Sequence, residues 1–193
     1  INAFVNVYKR LNVPTKIAKT AQDLESAEKL ILPGVGHFDH AMGELVNSGM
    51  LDTLNELVLE KMLPIIGICV GMQMMANSSD EGTSEGLKWI DATVKKFDET
   101  KIRQVTRLPH MGWNDAYPVV TNPLFEGLEK DALFYLLHSY YFDCKNAEDV
   151  IAVSDYGDRF TCAANHGNVY GIQFHPEKSH KDGEKLLNNF AKL

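Results

Sequence analysis

The chain has 193 residues, enough for one domain with a substantial core, and 45% of them are hydrophobic, an ordinary share for a globular protein. A net charge of −7 argues against a nucleic-acid surface, and no apolar run is long enough to span a bilayer. The three cysteines, Cys69, Cys144 and Cys162, lack C-x-x-C or zinc spacing, which fits a reducing cytosol rather than a disulfide framework; no signal peptide is visible.

Phe4, Tyr8 and Leu11 recur at helical spacing, so a helix opens the chain. Residues 15–19 and 29–32 read as short strands, the second ending at Pro33-Gly34. Gly34-Val35-Gly36 follows, and its backbone N–H groups can converge on an anion; a plain turn is the alternative. His37 and His40 flank a helix start and read as surface residues, and Leu51, Leu54, Leu57 and Val58 mark a further helix.

Residues 64–69, Pro-Ile-Ile-Gly-Ile-Cys, read as a buried parallel strand. The strand ends in Gly67-Ile68-Cys69-Val70-Gly71, and residues 72–76 are helix-compatible. G-x-C-x-G has the form of a nucleophile elbow with sulfur in place of oxygen. A sharp strand-to-helix turn crowds the backbone around a strained residue, and only glycine leaves room. The turn lifts the thiol clear of the sheet, to a helix N-terminus whose dipole favours thiolate. A lone cysteine is most often simply buried; two flanking glycines after an apolar strand favour a nucleophile. Gln73, one turn on, is placed to hold a substrate, although Gln also suits a helix surface. Met62, Met72, Met74 and Met75 read as core packing.

Residues 77–86 read as a polar loop. Pro109-His-Met-Gly-Trp-Asn114 reads as a loop too, and the large apolar Met111 and Trp113 on it point to an interface or to a fold back onto the core. Strand-like runs follow at 133–137, 150–154, 160–164 and 169–174. The last ends in His175-Pro176-Glu177. Pro176 keeps His175 extended, and residues two apart in an extended chain point the same way, so Glu177 can accept a hydrogen bond from the imidazole. A base and its orienting carboxylate are what a thiol nucleophile needs; a His–Glu pair on a solvated loop is the alternative. Leu186, Leu187, Phe190 and Leu193 mark a last helix. Alternation first and strands later predict an α/β fold over a single domain, 1–193. Its mostly parallel central sheet carries helices on both faces and an antiparallel extension. No His/Asp/Glu cluster has metal-ligand spacing.

Gly67-Ile-Cys69-Val-Gly-Met-Gln73 with His175-Pro-Glu177 resembles the class I (triad) glutamine amidotransferase family, along nearly the whole chain. His110-Met-Gly-Trp-Asn114, His138-Ser-Tyr-Tyr141 and Gln173-Phe-His-Pro-Glu-Lys-Ser179 are similar to one branch of it, the glutaminase subunits of imidazole glycerol phosphate synthase. The resemblance implies a flavodoxin-like three-layer fold, with Cys69 as nucleophile, His175 as base and Glu177 as orienter. It implies an oxyanion strand at Gly34-Val35-Gly36, with Val35 and Val70 donating backbone N–H groups, and L-glutamine held by Gln73, Ser139 and Tyr140. It implies no cofactor, and a (β/α)8-barrel cyclase partner that receives the ammonia and is met by Met111 and Trp113. Against the family pattern the chain opens within the first helix, so about a dozen residues, including a strand of about five, would precede Ile1. Val70 stands where Leu is usual in the elbow. The other readings are a related branch feeding an amidino-sugar enzyme, a cysteine hydrolase acting alone and a catalytically silent binding subunit.

Overall fold

The structure is a computed structural model that describes residues 1–193. The chain runs α1 (Asn2–Arg10), α2 (Ala21–Leu24), β1 (Leu30–Gly34), α3 (Phe38–Asn47) and α4 (Leu51–Asn55), then β2 (Ile65–Cys69) and α5 (Val70–Gln73). Next come β3 (Ser78–Ser79), β4 (Ala92–Lys96), β5 (His110–Asp115), β6 (Tyr117–Pro118), β7 (Leu133–His138) and β8 (Tyr140–Cys144). Strands β9 (Val150–Tyr156), β10 (Asp158–His166) and β11 (Val169–Ile172) precede the last helix, α6 (His180–Lys192).

The main sheet has the order β1-β2-β11-β10-β8-β4-β3, with β9 on β10 and β6 on β9. The ladders β1–β2, β2–β11 and β3–β4 are parallel and the others are antiparallel, so the sheet is mixed. All five residues of β2 are buried, which is why its sequence is a continuous apolar run. Helices cover both faces, as β11 makes clear. Successive strand residues point to opposite faces. Tyr170 meets Phe190 of α6 (ring centroids 6.2 Å apart), while a Cβ on Gly171 would lie 2.6 Å from Met72 of α5. The register shifts around Cys162 let β10 pair with β11 at one end and with β8 at the other, the usual work of a bulge. One cluster of 47 buried apolar residues forms the core. No helix is long and apolar enough to cross a membrane.

Four sequence expectations change. Residues 15–19 pair with no strand and form no regular element, because an extended segment without a ladder is not a strand. Residues 77–86 contain the short β3, paired with β4. Met62 is 55% exposed, at a positive φ of 55°, rather than core, whereas Met72, Met74 and Met75 are buried.

The fourth concerns 110–114, which is not a loop. β5 pairs with β7 antiparallel in a ribbon of its own, with His110 opposite His138 and Trp113 opposite Tyr135. The alternation of β7 is clean: Phe134, Leu136 and His138 face inward and are buried, while Leu133 and Leu137 are exposed. The outer face of this ribbon is apolar, with Met111 63%, Trp113 47%, Leu133 42% and Leu137 36% exposed. Trp113 stacks on His180 (5.2 Å, 6°) and remains half open to solvent.

Candidate active site

Cys69 ends β2 with φ 56° and ψ −115°, a conformation that costs a non-glycine residue on the order of 1–3 kcal/mol and that packing must hold. The packing is made by glycines. A Cβ on Gly67 would lie 2.6 Å from the Gly71 carbonyl oxygen, and one on Gly71 would lie 1.8 Å from that of Leu32. Gly34, abreast of Cys69 in the β1–β2 ladder, is pressed on the Gly71 nitrogen, 2.3 Å from where its own Cβ would be. The elbow and the end of β1 are therefore one interlocked unit. Val35 beyond it is 76% exposed, and Gly36 takes a positive φ of 88° that suits glycine. The helix after Cys69 starts at once, at Val70, and is only four residues long, so its dipole is shorter than the sequence promised.

His175 follows the buried Phe174, whose ring stacks on Phe134 of β7 at 4.0 Å. Its backbone N–H donates to the Tyr135 carbonyl (2.8 Å), and the Ser179 hydroxyl donates to its carbonyl (2.6 Å). The same hydroxyl accepts from the Tyr135 N–H (3.0 Å), so Ser179 locks His175 to β7. The imidazole Nδ1 lies 2.9 Å from Glu177 Oε1, and both side chains are buried. The pair forms by a different route from the one expected: residues Pro176–Lys178 make a single 3-10 turn rather than an extended run. Burial alone would lower the His175 pKa; hydrogen bonding to the Cys69 and Glu177 side chains outweighs it and raises it to about 9.

The other buried groups near the thiol are amides. Gln173 Nε2 lies 3.7 Å from Cys69 Sγ, and Gln73 Nε2 donates to Gln173 Oε1 (3.0 Å) and to the Tyr140 carbonyl (3.2 Å). Cys69 Sγ lies 3.9 Å from the Leu137 carbonyl of β7, so the thiol abuts the ribbon whose outer face is exposed. Ser139 joins β7 to β8, and its carbonyl accepts from the Phe97 N–H (3.3 Å). Gln173 and Ser179 bracket the His-Pro-Glu motif, and no local pattern gives them a role; only the long-range contacts assign them one. His37 is exposed, and its ring Nδ1 accepts the N–H of Asp39 at the start of α3. The other two thiols are inert by comparison: burial pushes Cys144 up to about 12 and Cys162 higher still. No group of three or more His, Cys, Asp or Glu side chains is placed to hold a metal ion.

The model of the class-I glutamine amidotransferases matches residues 2–193. The chain belongs to this family. Among its relatives are proteins named imidazole glycerol phosphate synthase subunit HisH. That of Bdellovibrio bacteriovorus is 53% identical over 193 residues, covering 100% of this chain and 95% of the relative. That of Leptospira interrogans is 50% identical with the same coverage, and a HisH 2 of Pseudomonas aeruginosa is 44% identical over 100% of this chain and 94% of its own. Among solved structures, a glutamine amidotransferase superposes with a TM-score of 0.73 at 21% identity, covering 100% of this chain and 94% of the other. A putative GMP synthase component from Thermoplasma acidophilum gives 0.71 at 22%, over 97% and 84%. These distant structures share the fold. The amidotransferase fold expected from the sequence is the fold present.

A pH profile of stability follows from three histidines. Burial first, and for His138 the nearby His110 and His175 as well, pushes His110 down to about 4 and His138 to about 3. The unfolded chain then binds more protons below pH 6.5, so stability falls as pH drops from there toward 4. His175 acts oppositely: its contribution is full below pH 6.5 and is lost as pH rises through 9. Denaturant titrations across pH 4–9 should therefore peak near pH 6.5. The acid limb should fall by on the order of 6 kcal/mol and lose about half of that depth in His138→Phe, which leaves His110 alone to titrate.

Proposed function

We propose that this chain is the glutaminase subunit of an imidazole glycerol phosphate synthase, working in the cytoplasm. It hydrolyses L-glutamine, and its ammonia passes to a (β/α)8-barrel cyclase subunit that makes imidazole glycerol phosphate in histidine biosynthesis. The observation that carries the chemistry is the strained Cys69 at the elbow, with the buried His175–Glu177 pair beside it. The pathway rests on the HisH relatives that match over the whole of this chain and 95% of their own length.

In this reading His175 takes the thiol proton as Cys69 Sγ attacks the side-chain amide carbon of glutamine. Glu177 holds Nδ1–H, which leaves Nε2 to move the proton, and steadies the imidazolium. The backbone N–H groups of Val35, just beyond the interlocked Gly34, and of Val70, at the elbow, receive the developing oxyanion. The C–N bond then breaks, the proton on His175 goes to the leaving amine, and ammonia departs from a γ-glutamyl thioester. Water attacks the thioester, its proton goes to His175 and then to the sulfur, and glutamate is released. Gln73, Ser139 and Tyr140 hold the substrate's α-amino and α-carboxyl groups. With its pKa at about 9, the protonated imidazole is the stable form of His175 at neutral pH, so the proton it holds is in place for the leaving amine.

The test is glutamine hydrolysis measured with and without candidate cyclases. Stimulation by an imidazole glycerol phosphate cyclase, with coupled product, is the expected result. Turnover that ignores every partner and prefers another amide would mark a stand-alone hydrolase, and stimulation only by an amidino-sugar enzyme would move the chain to that pathway. Within the site, His175→Ala should lose about 10²–10⁴-fold in kcat/KM and Glu177→Gln less. Losses below about threefold in both would remove the pair from the mechanism.

Met111 and Trp113, on the exposed apolar face of β5, are where the cyclase docks. Trp113→Ala should weaken the complex by about 2 kcal/mol or more, as a buried aromatic anchor does. Because the ring is 47% exposed in the free chain, its melting temperature should barely move. A large fall in that temperature with unchanged affinity would place Trp113 in the core instead.

A further inference from the structure

Behind the exposed face of β5 runs a continuous file of hydrogen bonds, open to solvent at its Asn114 end and buried at the His110–His138 pair and at Gln173–Cys69. Asn114 Nδ2 donates to the Asp155 carbonyl (2.9 Å) and lies 3.3 Å from His110 Nε2. His110 Nδ1 lies 3.1 Å from His138 Nε2, and His138 Nδ1 lies 2.7 Å from the Tyr140 carbonyl. That carbonyl also accepts from Gln73 Nε2, which donates to Gln173 Oε1, and Gln173 Nε2 ends at Cys69 Sγ.

The direction of each bond is forced. A carbonyl only accepts, so His138 must carry its proton on Nδ1, and its Nε2 is then an acceptor. His110 must therefore carry its proton on Nδ1, leaving Nε2 to accept from Asn114. Asn114 is oriented for this, since its Oδ1 accepts the Asp115 N–H (2.9 Å). On the other side, the Tyr140 carbonyl fixes the NH2 of Gln73, whose contact fixes the amide of Gln173 with NH2 toward sulfur. Every member has one orientation, and both rings must stay neutral. Their burial, 4% and 6% exposed, enforces that neutrality.

We propose that the His110–His138 pair is a positioning relay that ties the partner-facing strand β5 to the Tyr140 carbonyl, and through Gln73 and Gln173 to Cys69. This rests on the reading of the chain as a glutaminase. His110 and Met111 are successive residues of one strand, so a shift imposed on the outer apolar face moves the inner imidazole. The relay transmits that shift to the two amides that surround the substrate. It holds the ground state of glutamine in place and transfers no proton in the reaction. His110 and His138 are thus positioning residues. Their loss should appear in KM and in partner stimulation rather than in the chemical step.

The test uses the full chain with its cyclase. His138→Phe keeps the ring contacts to Phe97 and Phe160 (both 5.2 Å) and cannot bond Tyr140. It should raise KM for glutamine about tenfold, the worth of one lost buried hydrogen bond. It should change kcat less than threefold and leave ammonia-dependent synthesis unaltered. His138→Asn can donate to the Tyr140 carbonyl without reaching His110. It should restore KM and still lose most of the stimulation by the cyclase, about tenfold. An unchanged KM in His138→Phe overturns the relay, as does full partner stimulation in His138→Asn. A parallel fall of kcat, KM and ammonia-dependent rate would mean a merely structural role. Imidazole 15N spectra of the unmodified chain give a readout independent of activity: His138 must be the Nδ1–H tautomer. An Nε2–H tautomer sinks the relay. An Nδ1–H tautomer in a chain that hydrolyses no glutamine with any partner keeps the buried pair and rejects the glutaminase reading alone.

Discussion

Replacing Cys69 with serine is expected to abolish glutamine hydrolysis, by a factor on the order of 10³ or more, while ammonia-dependent synthesis by the cyclase continues. The two outcomes separate the thioester from everything else the chain does. Serine fits the same turn and keeps the fold, but its hydroxyl is a far weaker acid than a thiol, and His175 cannot make up the difference. Ammonia added from solution enters after the thioester stage, so a docked chain with a dead elbow still supports the second reaction. A glutamine-like diazo-ketone should label Cys69 alone. Cys144 is held up to about 12, and Cys162 is fully buried in β10, so neither competes. Peptide mass spectrometry that finds the label on either of them, with Cys69 untouched, would end the assignment.

Gly71→Ala is expected to be as damaging to the fold as Cys69→Ser is to activity. The new methyl would sit 1.8 Å from the Leu32 carbonyl oxygen, a backbone atom in a parallel ladder that cannot swing aside. Relief requires β1 or the elbow to move, and overpacking of this kind costs about 3 kcal/mol or more. The comparison is Gly43→Ala in α3, where nothing lies within 4 Å of the added carbon. That change should stabilise by about 0.5–1 kcal/mol, the helix propensity difference. Equal stability of the two variants in urea would show that the elbow is looser than its contacts imply.

The local chemistry of the site is legible in the chain because it is written in short segments. Gly67-x-Cys-x-Gly71 announces a crowded turn, and His175-Pro-Glu177 announces a base with its carboxylate. What is not legible depends on register. Nothing in the letters places His110 opposite His138, twenty-eight positions away, or Gln173 beside Cys69; only the β5–β7 and β2–β11 ladders do that. β5 reads as a loop because Pro109 and Gly112 are turn signals and because its apolar residues face outward, the reverse of the pattern that marks a half-buried strand. Residues 15–19 mislead in the opposite sense: their composition suits a strand, but a ladder needs a neighbour.

The outward-facing Met111, Trp113, Leu133 and Leu137 have a consequence for the cell as a whole. A contiguous apolar face of this kind is harmless while covered and adhesive while bare. A cell that makes more of this chain than of whatever covers the ribbon accumulates surplus sticky surface, and quality control must clear it. Dosage, rather than catalytic rate, then limits how far synthesis of this chain can be raised on its own.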